Sequence, residues 1–405
     1  MNPVAVQCAD VNKADPRARH RVGTGRSLPL WAVLLGIALA VAWLTGRLAD
    51  IAEPSAEAGM WWAGLGAPPV ALLVILAVRR GWHDRASWPV LLGVGYLASG
   101  VWTVAFALLD PPLLGPPVAA DGTLHLPDLV LTGLQELGAE PGLISAALGL
   151  ALAAVTPLVA VATRSLCDEP TARHLLPVLV LAPYALLAGD TDSLAAVLAA
   201  AMLTVAVLAS ERGRPVGSRV ALAGLCGLLL GLSALFGYSA IWLAAGTLCV
   251  FFVRRRPLLN VATGLASLVP LLVAEAAGAD WTGGLVSELR GPGGDRSVLS
   301  GAAVVVLALL VIGGPALIAS IGRVRTTPGW PFLVGGGAVL LVPLAAGLLA
   351  GQNDPGAWLP GLPWLLVAAV APPRQGGRAV PTPVGLVTVG AVTAYAVAVI
   401  SAGAA

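Results

Sequence analysis

The sequence predicts an all-α, polytopic transmembrane helical bundle of about thirteen spans, with a cytoplasmic N-terminus and a C-terminus outside. Three observations carry this prediction. Only 11% of the 405 residues are charged, 58% are hydrophobic, and mean hydropathy is +0.88. A surface facing water normally carries about 25% charged residues, and lipid removes that need. Apolar windows at 30–45, 91–109, 143–162, 194–209 and 302–322 are long enough, or nearly so, to cross about 30 Å of hydrocarbon as helix. Short charged loops separate them, a pattern that one large buried core does not produce.

Orientation follows from where the basic residues fall, since the net charge of +2 decides little. Segments 1–29, 79–87, 164–174, 210–219, 254–257, 323–327 and 372–380 hold 20 of the 23 Lys and Arg residues. Only Arg47, Arg290 and Arg296 remain on the other side. Basic loops stay in the cytoplasm, so this split sets the topology. Acids run the opposite way, with 15 of 21 on the outer side. The positive-inside rule ignores Asp and Glu, so this excess points to chemistry on the outer face.

Residues 1–29 are polar and basic with no convincing cleavage site, and are expected to be a disordered cytoplasmic tail. Residues 30–401 then form one transmembrane domain with outer loops at about 110–141, 276–297 and 351–358. Spans are expected at 30–46, 60–78 and 88–109. The first long outer loop opens with Asp110-Pro111-Pro112, which breaks regular structure. Within it, Leu126, Leu129, Val130, Leu134 and Leu137 recur at helical spacing around Asp128, Gln135 and Glu136, predicting a helix along the membrane interface. Span four covers 142–163.

The apolar stretch 175–187 rises only roughly 20 Å as helix, too short to cross unaided, and carries Pro177 and Pro183. Gly189-Asp190-Thr191-Asp192 follows, then the span 194–209. Asp192 or Thr191 can cap that helix, which needs no further role for the motif. Stretches 221–236 and 240–253 form a hairpin through Gly237-Tyr238, with Arg254-Arg255-Arg256 at its base. A ninth span ends near Glu275, and a Gly-rich outer loop follows at 276–297. Two more spans lead to Gln352-Asn353-Asp354-Pro355, then to a span opened by Trp358 and Trp364 as interfacial tryptophans, and a last one covers 383–400.

No signature of a soluble enzyme is present: there is no phosphate-cradling loop with Lys-Ser/Thr, no His-Glu-x-x-His, and no zinc spacing among Cys and His. Cys8 and Cys167 fall on the cytoplasmic side and Cys226 and Cys249 within spans, so no disulfide is expected. Of the histidines only His125 lies outside, so no His-based metal site is expected. Charges sit at span ends rather than at mid-membrane depth, which argues against an ion-coupled carrier. Nothing suggests nucleic acid. What remains is a set of outer acids. Asp190 and Asp192, two residues apart after a truncated span, can hold a sugar hydroxyl or a divalent cation bridging phosphate. No cofactor beyond that is firmly implied.

Three segments, in this order, resemble the GT-C class of polytopic membrane glycosyltransferases. Leu181-Ala182-Pro183-Tyr184 through Asp192-Ser193-Leu194 is similar to its Pro … Asp segment. Gly227-Leu228-Leu229-Leu230-Gly231 through Gly237-Tyr238-Ser239 resembles the Gly-rich span and aromatic turn that follow there. Trp358-Leu359-Pro360 through Trp364 resembles the start of a late span in actinobacterial relatives of the glycosyltransferase family 39 mannosyltransferases. The high Ala, Gly, Arg and Leu content with a single Lys fits a GC-rich actinobacterial genome.

The resemblance implies a multi-pass plasma-membrane hexosyltransferase of the cell envelope. It would take sugar from a polyprenyl-phosphate donor in the lipid and pass it to an acceptor on the extracytoplasmic face. An acid of the first large outer loop, here Asp110 or Asp128, would be the general base. Asp190, Asp192, Tyr238, Asp354, Arg290 and Arg296 would contact substrate. The chain departs from the class where related chains carry His-Pro-Pro-Gly, reading Ala139-Glu140-Pro141-Gly142. Either Arg290 or Arg296 then binds the phosphate, or the chain keeps the fold without the activity and binds lipid-linked sugar or a partner enzyme. A transporter of lipid-linked substrate is a third reading.

Overall fold

A computed structural model describes residues 27–44, 57–108, 126–189, 191–290, 298–321, 327–350, 356–370 and 383–403. Among the described residues every regular element is helical. Among the described residues, five helices are long and apolar enough to cross a membrane: Trp88–Ala107, Pro141–Leu166, Asp192–Ala209, Val216–Phe236 and Leu258–Ala276. Shorter apolar helical stretches accompany them, among them Ser27–Val41, Pro68–Arg79, Tyr238–Val253 and Val306–Ile321. The protein is a multi-pass helical membrane protein.

Because lipid tails are as apolar as leucine, helices in a membrane associate through close packing rather than by escaping water. This chain does so with small residues. Gly227 and Gly231 share one face of Val216–Phe236, and a Cβ on either would collide with the Leu258–Ala276 backbone, at the Thr263 and Ser267 carbonyl oxygens. Thr263 Oγ1 also donates to Ala223 O at 3.1 Å. At a second crossing, Thr103 Oγ1 donates to Gly149 O at 2.6 Å, and a Cβ on Gly149 would lie 3.1 Å from Val104 Cα. Thr204 Oγ1 reaches Leu158 O at 3.0 Å, and Trp31 Nε1 reaches Leu310 O at 2.8 Å. The Val298–Ile321 helix is kinked at Gly314, whose φ of 59° breaks the helical path just before Pro315. Leu258–Ala276 lies at the periphery and turns Leu265, Leu272 and Val273 outward.

The short apolar stretch that cannot cross alone folds as the Glu169–Val180 helix, followed after a break by a 3-10 turn at Pro183–Leu187. Its packed neighbours shield it: Leu175, Val178 and Leu181 are fully buried. Two expectations need correction. The segment after Gly356 is not a span with interfacial tryptophans. It is a 3-10 turn at Gly356–Trp358, a single helical turn at Leu362–Leu365 and another 3-10 turn at Leu366–Val370. Trp358 and Trp364 are 1% and 0% exposed, with Trp364 packed 4.8 Å from the Phe332 ring. Hydropathy and a Trp at a predicted boundary read as an interface, but here both indoles are packed inside the fold. The Gly-rich stretch 276–297 also contains a helix, Trp281–Arg290.

Basic segments far apart in sequence gather at one end of the bundle. Arg173 Nη1 donates to His83 O at 2.9 Å and Ala86 O at 2.8 Å. Glu169 receives Arg164 at 2.7 Å and Arg173 at 2.8 Å, and Arg164 lies 4.7 Å above the Trp88 ring. The Arg173 bond first, with Arg164 beside it, holds the Glu169 carboxyl below its usual range. Arg254 Nη2 donates to Ser165 O at 2.6 Å, and Ser165 Oγ to Glu211 at 2.8 Å. Cys167, at the same end, is free, and burial pushes its thiol up to about 12, so it is inert at neutral pH.

Candidate functional site

At the opposite end, four chain segments meet around the start of the Asp192–Ala209 helix. The first contact is between backbones. Gly189 has φ +103°, and a Cβ there would sit 3.1 Å from Ala107 Cα and 3.2 Å from its carbonyl oxygen. Only glycine adopts that conformation and permits that approach without strain. The contact seats the residue before Asp190 on the last turn of Trp88–Ala107, and Asp110 follows Ala107 by three residues. Gly189→Ala is expected to lower stability by about 1–2 kcal/mol from the left-handed conformation alone, with tight contacts adding to it. Thermal unfolding in detergent checks it, and an unchanged midpoint would mean that the turn readily rearranges.

The second contact involves Asp192, the first residue of its helix and half-buried. A Cβ on Gly237 would lie 3.1 Å from Asp192 Oδ1 and 3.1 Å from Ala195 Cβ, so the turn after Val216–Phe236 runs directly beside that carboxylate. Thr191 stands at the N-cap but its side chain makes no capping hydrogen bond, contrary to the simplest reading of the motif.

The third contact runs through Tyr238. Its hydroxyl fills the space that a Cβ on Gly284 would need, and its ring lies 5.8 Å from that of Trp281. Trp281 Nε1 donates to Ala234 O at 2.8 Å. The Trp281–Arg290 helix is thus fastened over the end of Val216–Phe236, beside the Gly237 turn. Asp280 Oδ1 accepts from Gly283 N at 2.8 Å and Glu275 Oε1 from Thr282 N at 3.2 Å, so these two acids serve as local caps. Arg290 ends the helix six residues beyond Gly284, about 9 Å further along the axis.

The fourth contact belongs to the amphipathic helix Leu126–Glu136. Leu131 is buried with Ile144 and Leu148, and Leu194, two residues past Asp192, packs on that cluster. Leu129, Leu134 and Leu137 point outward. One side of this helix therefore grips the bundle next to Asp192, and the other meets the surroundings.

Two hydroxyls in this region are orphaned. Ser193 is 0% exposed and Ser239 2%, and neither Oγ has a hydrogen-bond partner among the described residues. Each adjoins a residue the sequence singled out, Asp192 and Tyr238. Leaving a buried hydroxyl unpaired costs roughly 1–3 kcal/mol, so such groups are usually paired with protein or an ordered water. Nothing in the spacing of two serines in apolar helices flagged them, and Trp281 was hidden inside an expected loop.

Of the expected site residues, Asp192 lies against Gly237, and Tyr238 follows in the same turn with its ring on Trp281. Asp128 and Arg290 lie on described helices, Leu126–Glu136 and Trp281–Arg290, but their side chains fall outside the described residues. Asp110, Asp190, Arg296 and Asp354 fall wholly outside them.

No family model and no curated protein matches the sequence. Among solved structures, ArnT from Cupriavidus metallidurans in the apo state is similar in fold, with a TM-score of 0.50 at 15% identity over 78% of this chain and 76% of that one. ArnT bound to undecaprenyl phosphate aligns with a TM-score of 0.45 at 12% identity over 92% of this chain and 76% of that one. At such identity the likeness speaks for architecture and not for chemistry, and what it establishes is that this chain has a polytopic, all-helical GT-C fold.

Proposed function

We propose that this protein is a membrane glycosyltransferase that transfers a hexose from a polyprenyl-phosphate donor to an acceptor at the acidic end of the bundle. The observation that carries the reading is the pair of orphaned, buried hydroxyls of Ser193 and Ser239 beside Asp192 and Tyr238. Hydroxyls, a carboxylate and an aromatic ring are the kinds of group that contact a sugar, whose hydroxyls both donate and accept. In the reaction the acceptor oxygen attacks the anomeric carbon, and the bond from that carbon to the phosphate oxygen breaks. The electron pair leaves with the polyprenyl phosphate, and a carboxylate, Asp110 or Asp128, takes the acceptor proton. Arg290 or Arg296 would hold the phosphate, because a guanidinium pairs with it through charge-assisted, often bidentate bonds.

Native mass spectrometry of the full chain in nanodiscs containing a polyprenyl phosphate tests the donor half. The wild type is expected to retain the lipid. Arg290→Ala or Arg296→Ala should weaken it about tenfold or more, since a hydrogen bond to a charged group is worth about 1.5–3 kcal/mol. If the double variant binds as the wild type does, the enzyme reading falls and only the fold stands. Binding without transfer from any hexose donor would point to a non-catalytic member of the class.

A further inference from the structure

We propose that His83, Asp84 and His174 form a binding site for a divalent transition metal of the zinc class at the basic end of the bundle. The proposal is independent of the glycosyltransferase reading and concerns the other end of the molecule. His83 and Asp84 sit in the short Trp82–Arg85 helix between two long ones, and His174 lies on Glu169–Val180. The fold sets the two imidazoles edge to face, with centroids 4.9 Å apart and planes at 84°. One donor atom from each of the three side chains lies within 4.8 Å of the others. Nitrogen and oxygen ligands of zinc stand about 2.0–2.2 Å from the ion. Closing a 4.8 Å spacing onto one ion takes only small side-chain rotations. Asp84 and His174 are exposed and able to make them.

The hydrogen bonding favours the ligand form. His174 Nδ1 lies 2.8 Å from Pro170 O, a contact that needs a proton on Nδ1 and leaves the Nε2 lone pair for a metal. A backbone carbonyl behind a ligating imidazole is the usual outer-shell arrangement. His83 is 8% exposed, its Nδ1 has no hydrogen-bond partner among the described residues, and its Nε2 lies 3.5 Å from Asp84 Oδ2. An Asp–His pair beside an edge-on ring is the simpler reading. It leaves Nε2 with only a 3.5 Å contact and Nδ1 with no partner among the described residues, room for one nitrogen to take an ion. Arg173 is a cation whose charge acts on His83. It is matched by Glu169 at 2.8 Å and spends its other donors on backbone carbonyls. Two imidazoles and one carboxylate suit Zn²⁺, Ni²⁺, Cu²⁺ or Co²⁺ rather than Mg²⁺ or Ca²⁺, and leave a position for water. A bound ion would tie the Trp82–Arg85 turn to Glu169–Val180.

The test uses the full chain in detergent, purified without a histidine tag and stripped with a chelator. Co²⁺ titration followed by visible absorption reports coordination geometry, and elemental analysis after Zn²⁺ loading reports stoichiometry. One ion per chain is expected, with a thermal midpoint raised by Zn²⁺. His174→Ala, at an exposed position, should keep the metal-free midpoint, weaken binding at least tenfold and abolish the Zn²⁺-dependent shift. Asp84→Asn should weaken it less. Two results would overturn the proposal: no uptake at micromolar Zn²⁺ or Co²⁺, or uptake in His174→Ala equal to that of the wild type.

Discussion

Gly227→Val is expected to lower the stability of the folded protein by about 3 kcal/mol, at the upper end of overpacking costs. A Cβ at this position would overlap the Thr263 carbonyl oxygen and lie 2.7 Å from Ala266 Cβ and 3.0 Å from Ser267 N. Two of these are backbone atoms of a helix interior, which no rotamer change can move aside. The two helices would have to separate, losing close packing along Gly231 as well, where a Cβ would meet Ser267 O and stand 3.0 Å from Pro270 Cγ. Close backbone approach through paired small residues is the main source of helix association in lipid, so nothing nearby compensates. Gly224→Val on the same helix is the control, since a Cβ there meets nothing within 4 Å. Unfolding in detergent should separate the two variants clearly. Equal effects would mean that helix propensity rather than the crossing sets the loss.

On the proposed glycosyltransferase reading, Asp110→Asn is expected to reduce sugar transfer by about 10²–10⁴-fold, the usual contribution of a general base, with donor binding largely unchanged. Asp128→Asn should cost only a few-fold. The preference for Asp110 comes from the Gly189–Ala107 contact. Ala107 meets Gly189, three residues before Asp192, and Asp110 follows Ala107 by three residues in the chain. Asp128 belongs instead to the Leu126–Glu136 helix, one turn before the buried Leu131. The amide keeps the shape of the acid and removes its basicity, so a binding defect and a proton-transfer defect are distinguishable by measuring both. Wild-type turnover in Asp110→Asn would move the base to Asp128 or remove the mechanism.

The residues that make spans were legible because lipid imposes a local requirement. Every backbone amide must be satisfied within its own segment, so an apolar run of adequate length becomes a helix whatever surrounds it. Thus 88–109 reads as a span and is found as the Trp88–Ala107 helix, and the spacing of Leu126, Val130, Leu134 and Leu137 announces Leu126–Glu136. The short stretch before Gly189 is likewise visible from its length and its two prolines. The same local logic misleads at Trp358 and Trp364. A tryptophan at a predicted boundary suits the interface, and only the packing of Phe332 and its neighbours reveals that both indoles are buried.

The sequence by itself therefore determined the solvent and the helical class. The tertiary structure alone decided which distant residues share a site: Gly189 on Ala107, Tyr238 under Gly284, and His83 against His174. The physical reason lies in what each level encodes. Hydropathy and charge act residue by residue along the chain, whereas a site is a set of contacts between helices. Which helices touch depends on where glycines and small hydroxyls allow two backbones to approach, and that is a property of pairs of surfaces.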